Sequence, residues 1–198
     1  MAYLLIMNDK LRRLLPVVLL SLATMLWDCG HSSAGEKITK LDSLFLGLSL
    51  GMDRQAFFDS CWQMNHRKMI TQGPTNQNVE YIFDSLINAP VIMRFYPNFY
   101  KDKVYEMPVV FMYEAWAPWN KQYSSDTLFK RLVPVFKKWY GDDFQVIDHK
   151  TQGTVYARID GKRRINLFRK DDQYVQAVYT DLRMAKALKE ESENEENK

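Results

Sequence analysis

Three histidines, two cysteines and a scatter of aspartates are the residues of this chain with the chemistry for catalysis or metal binding. His31, His66 and His149 each stand without a second histidine or cysteine at metal-ligand spacing, so no metal site is expected. His149 follows Asp148, but neighbouring residues on a strand point to opposite faces, so the carboxylate is badly placed to orient that imidazole. Asp102, Asp142-Asp143 and Asp171-Asp172 fall beside expected turns, where aspartate ordinarily caps or turns the backbone. No nucleophile elbow, zinc-protease helix, paired-cysteine motif or phosphate-cradling glycine loop occurs, and no cofactor is expected. Cys61, among apolar neighbours at helical spacing, reads as a small buried hydrophobe.

With little chemistry in view, recognition becomes the leading use of the surface. In the last strands Val155, Ala157, Ile159, Ile165, Leu167, Val175, Ala177 and Tyr179 can share a face beneath a helix. The alternate set contains Tyr156, Arg158, Arg164, Phe168 and Tyr174, which combine large contact area with polar tips and form the expected partner-binding face. Aromatic residues at Tyr96-Pro97-Asn98-Phe99-Tyr100 and Trp116-Ala117-Pro118-Trp119 can anchor a partner or plug a small core.

The elements that must position these residues follow from periodicity and punctuation. Asp53 caps a helix to Met64, with Phe57, Phe58, Cys61 and Trp62 at helical spacing. Strands are expected at Val79–Leu86, Val91–Tyr96 and Val104–Trp116, with a weaker one at Lys68–Thr71. A second helix starts at Ser124-Ser125-Asp126 and ends at Gly141, carrying Leu128, Leu132, Phe136 and Trp139. Pro134 within it should kink the helix or begin a new one. Phe144–Asp148, Thr154–Ile159, Arg163–Phe168 and Tyr174–Thr180 are the second set of strands, the middle pair joined at Asp160-Gly161. The expected fold is α+β: a helix followed by four antiparallel strands, occurring twice (about 46–116 and 120–181), with the helices on one sheet face. Residues 182–198 are expected to be a short helical end and a disordered acidic tail.

The first 34 residues have another purpose. Lys10, Arg12 and Arg13 precede the apolar run Leu14–Trp27, which contains Pro16 and is shorter than the about 20 residues needed to span a bilayer. This is the layout of an export signal, with translation expected to begin at Met7. Cys29 directly after the run is the expected lipid-attachment residue, tethering the chain to a membrane; the competing end is cleavage after Ala34, giving a soluble chain that begins at Gly35. The localisation expected is the periplasm or outer membrane of a bacterium. A net charge of +3 over 198 residues lacks the strongly basic footprint of a nucleic-acid partner.

The stretch Leu48-Ser49-Leu50-Gly51-Met52-Asp53-Arg54-Gln55-Ala56-Phe57 leads through a leucine-glycine step into a capped helix and then a sheet. It resembles the small outer-membrane assembly lipoproteins and the β-lactamase inhibitory protein. It is also similar to uncharacterised exported proteins of Bacteroides-type bacteria, in which a second helix ends as Lys138-Trp139-Tyr140-Gly141 does here. The resemblance implies a non-catalytic, exported binding or scaffold module whose partner is a protein or another envelope component. The alternative is a periplasmic or surface hydrolase or carbohydrate-active enzyme.

Overall fold

A computed structural model describes residues 42–75, 78–83 and 87–196. The elements, in chain order, are α1 (Arg54–His66), β1 (Thr71–Gln72), β2 (Val79–Phe83), β3 (Val91–Phe95), β4 (Asn98–Tyr100) and β5 (Lys103–Tyr113). They continue with α2 (Ser125–Tyr140), β6 (Gln145–His149), β7 (Gly153–Asp160), β8 (Arg163–Arg169), β9 (Val175–Asp181) and α3 (Leu182–Glu196). All nine strands form one antiparallel sheet in the order β1-β2-β3-β5-β9-β8-β7-β6, with β4 paired to β5 off that path. The fold is α+β, as expected.

Alternation along the central strands makes the core. Val91, Met93 and Phe95 of β3, Val109, Phe111 and Tyr113 of β5, and Val175, Ala177 and Tyr179 of β9 are all buried on one face. Onto that face α2 lays Leu128, Leu132 and Phe136, whose four-residue spacing gives one apolar stripe. The helix begins where Ser124 accepts a bond from the Thr127 amide at 3.5 Å and ends at Gly141, whose φ of 102° suits glycine. Pro134 is held inside a single helix rather than dividing it. Helix α1 contributes only Phe57 and Met64 as buried residues.

Two expectations change here. Residues 98–100, expected as a loop, form β4, and Phe99 there packs on Phe57 at 6.0 Å. The acidic end is not a tail as far as Glu196: α3 continues that far, with Lys186–Glu190 and Lys189–Glu193 pairs one turn apart. Asp181 starts it, its carboxylate accepting from the amides of Arg183 and Met184 at 3.0 and 3.3 Å.

Candidate functional site

The β7–β8 hairpin decides which side chains meet. Its turn contains Gly161 and Lys162, so Asp160 faces Arg163, Arg158 faces Ile165, and Tyr156 faces Leu167. Paired residues share a face, so Tyr156 and Arg158 lie with the core residues of β8 on the helix side. The expected outer face therefore separates. Tyr156 packs edge-on against Phe129 of α2 at 5.6 Å, while Arg164 and Phe168 lie on the opposite face, where Phe168 is paired with Val155 and buried. Tyr174 sits in the turn before β9, its amide bonded to the Asp171 carboxylate at 2.7 Å. The apolar alternation of Val155, Ala157 and Ile159 pointed to the wrong face. A two-residue turn pairs even with odd positions, and that parity was the signal to follow.

On the helix side the hairpin assembles a compact ionic group. Arg163 grips the Asp160 carboxylate with two bonds, Nε at 2.9 Å and Nη2 at 2.6 Å. Arg158 reaches the same carboxylate more loosely, Nε at 3.4 Å, and donates from Nη1 to Asp143 at 3.0 Å. Lys162 lies 3.0 Å from Asp42 and 3.6 Å from Asp181, two carboxylates that are fully enclosed. Gly141 leaves room for the Arg158 guanidinium, since a Cβ there would stand 3.2 Å from its Cζ and both terminal nitrogens.

A loop from Asp42 to Leu50 closes over these groups. It folds on itself through Leu44 N–H to the Leu48 carbonyl and Leu50 N–H to the Asp42 carbonyl, both 2.9 Å. The turn passes through Leu46 at φ 52° and Gly47 at φ 78°. A left-handed leucine is costly, and such conformations persist where surrounding contacts determine them. Those contacts are explicit. Arg163 donates to the Ser43 carbonyl, and Tyr140 donates from its hydroxyl to the Leu44 carbonyl at 2.9 Å. Tyr179 approaches the Tyr140 hydroxyl oxygen at 3.1 Å, and Phe45 packs edge-on against Phe95 at 5.0 Å. Burial pushes the Tyr140 phenol up to about 12 and holds Tyr179 well above its ordinary range, so both remain protonated hydrogen-bonding groups.

Between loop, helix end and sheet lies a cavity of about 750 Å³, within the range of small-molecule sites. One end is polar, made by Arg158, Asp160 and Arg163. The other is aromatic, made by Tyr81 and Phe83 of β2 and by Trp139 of α2. Strands β2 and β7 are separated in the sheet by β3, β5, β9 and β8. Trp139 and Tyr140 at the end of α2 bridge the two ends of this trough, Trp139 standing 6.0 Å from Phe83 and the Arg163 guanidinium 5.1 Å over the Tyr140 ring. Trp139, expected in the core stripe, is 38% exposed and walls this trough, 6.0 Å from both Phe83 and Phe136.

The remaining sequence candidates lie elsewhere. His66 stacks on the exposed Trp62 at 5.7 Å, and His149 Nδ1 is 3.2 Å from the Thr151 hydroxyl at the sheet edge. Among the described residues no group of histidine, cysteine, aspartate and glutamate is arranged to hold a metal ion. Burial pushes the Cys61 thiol up to about 11, away from the reactive range. Tyr96 and Phe99 both pack edge-on against Phe57, so that loop plugs the core. Trp119 stays 84% exposed. Cys29 and His31 lie outside the described residues. Among the described residues no helix is long and apolar enough to cross a membrane. No family model, curated protein or solved structure matches the chain.

Proposed function

We propose that this protein is an exported, non-enzymatic binding module of the bacterial cell envelope, and that the trough is where it holds its ligand. The observation that carries the reading is the makeup of the trough walls: aromatic surface at one end, and at the other a carboxylate already gripped by two guanidiniums. Aromatic walls with a few fixed polar groups are the composition of binding sites. A hydrolase needs a nucleophile or a base ready to take a proton; here Asp160 is engaged by arginines and the phenols of Tyr140 and Tyr179 are kept neutral.

The binding site so assigned takes Arg158 from the face read in the sequence, and places Tyr156 behind it under α2. Arg164, Phe168 and Tyr174 remain candidates for a separate protein contact on the other side of the sheet. We also read the fold as a doubled unit, because the strand order runs inward from each edge to the β5–β9 pair and a helix precedes each set. The leader and Cys29 supply the case for the envelope, by export and lipid attachment.

Native mass spectrometry of the protein purified from its own envelope tests the ligand. A small-molecule adduct is expected on the wild type and lost on Trp139→Asp; an adduct that survives this change, or none on the wild type, rejects the trough. Fractionation tests the location, since Cys29→Ala should move the protein from the membrane to the soluble fraction. A wild type that is already soluble, with Gly35 at its N-terminus, rejects the lipid anchor.

A further inference from the structure

The charges around the trough narrow the class of ligand, an inference that rests on the trough being a binding site. Of the charged side chains that line the trough, Arg158 and Arg163 share the single carboxylate of Asp160, and Asp143 at the rim is the second carboxylate on Arg158. The two arginines are not equivalent. Arg163, 5% exposed at its side chain, is committed by its two short bonds to Asp160, its bond to the Ser43 carbonyl and its place over the Tyr140 ring. Arg158 is held at 3.4 Å by Asp160 and at 3.0 Å by Asp143, a rim residue whose side chain is 87% exposed. Water screens that rim carboxylate and can replace it, whereas the guanidinium, 15% exposed, has lost most of its own hydration. An anion entering the trough would replace the Asp143 carboxylate on Arg158, at a guanidinium where screening is weak.

The rest of the space asks for apolar area. Away from Arg158 the walls are Phe45, Leu46, Tyr81, Phe83, Met93 and Trp139. We propose that the trough takes an apolar or aromatic molecule bearing one anionic group, with the anion on Arg158 and the body against Tyr81, Phe83 and Trp139.

Two fluorescent probes separate the charge from the body. 1-Anilinonaphthalene-8-sulfonate and N-phenyl-1-naphthylamine share an aromatic frame and differ by one sulfonate. Titrated into the full-length folded protein, the sulfonate should bind about tenfold more tightly, the ratio expected for one charge-assisted contact. Arg158→Gln should bring the ratio close to one, and Arg158→Lys, which keeps the charge without the fork, should retain part of it. Lys186→Gln, the same loss of charge on the exposed side of α3, should leave the ratio as in the wild type. Equal binding of the two probes by the wild type overturns the anion inference while the binding site stands. So does a ratio insensitive to both Arg158 variants, or one lowered as much by Lys186→Gln. Failure of the neutral probe to bind, or binding unaffected by Trp139→Ala, removes the binding site as well. A sulfonate signal that follows the unfolded fraction in a melt counts against both.

Discussion

Helices α1 and α2 start from similar sequence signals and end in different roles. Helix α1 follows an aspartate and carries Phe57, Phe58, Cys61, Trp62 and Met64, yet it buries only Phe57 and Met64 and leaves Trp62 70% exposed. Helix α2 buries Leu128, Leu132 and Phe136 over the middle of the sheet, and its last turn delivers Trp139 and Tyr140 to the trough. The difference lies in arrangement as well as position: the apolar residues of α2 form one stripe, whereas those of α1 are spread around the helix. Helix α2 has β5, β9 and β8 beneath it, whereas the large residues of α1 extend past what β4 and its neighbours can cover. A helix over the centre can therefore secure the core and present a site at its end.

The strongest way to break this contrast is to remove one aromatic residue from each helix. Phe136 touches Phe111, Trp139, Tyr140 and Tyr179, so Phe136→Ala should cost about 3–5 kcal/mol in urea unfolding. Trp62→Ala, by comparison, should stay within about 0.5 kcal/mol. Equal losses would mean that α1 is as central as α2. A finer probe is Tyr140→Phe, which strips the hydroxyl from the Leu44 carbonyl and the Tyr179 hydroxyl; it should cost about 1–3 kcal/mol and raise hydrogen exchange in the loop at residues 42–50.

Helix starts sharpen the comparison further. Ser124→Ala should cost about 1 kcal/mol, because its side chain accepts an amide of the first turn. Asp53→Ala should cost a few tenths at most, because Asp53 makes no such bond and its carboxylate instead meets Lys103 at 2.8 Å in solvent. The smallest effect is chemical. With the Cys61 pKa near 11 against an ordinary 9.0, only about one thiol in a thousand is ionised at pH 8, so alkylation of the native protein should lag far behind that of the urea-unfolded chain. The raised value also fixes the sign of a pH effect. Cys61's contribution to stability is complete below the unfolded thiol's pKa and is lost as the pH rises toward 11, so Cys61→Ser should flatten the alkaline limb of the stability curve.

Much of the fold was legible in the residues and much of the site was not. Both helices and seven strands fell near their expected places because three-and-four spacing, alternation, Gly141 and the Asp160-Gly161 turn are local signals. Strand β4 has no local signal because Asn98-Phe99-Tyr100 sits between a proline and the Lys101-Asp102 turn, and only pairing with β5 extends it. The trough required knowledge of three relationships that no local window contains. These are the parity of the β7–β8 pairing, the return of the loop at residues 42–50 over β8, and the gap between the end of α2 and β2. Arg158 stands out by type, but its neighbours Ala157 and Ile159 look like the inward residues and so point it to the wrong side. Asp160 looks like an ordinary turn residue and Arg163 like the first residue of a strand.

The loop at residues 42–50 also sets an order of events. It leaves the ribosome before any strand of the sheet, yet the groups that hold its carbonyls stand 96 residues downstream at Tyr140 and 120 downstream at Arg163. Until the β7–β8 hairpin exists, Leu44, Leu48 and Leu50 lack their final surroundings, and Leu46 has nothing to fix its left-handed backbone. The first described segment to be synthesised is thus among the last to find its place. A chain cut short before Arg163 would present those leucines, unclaimed, to whatever chaperone or protease meets it first.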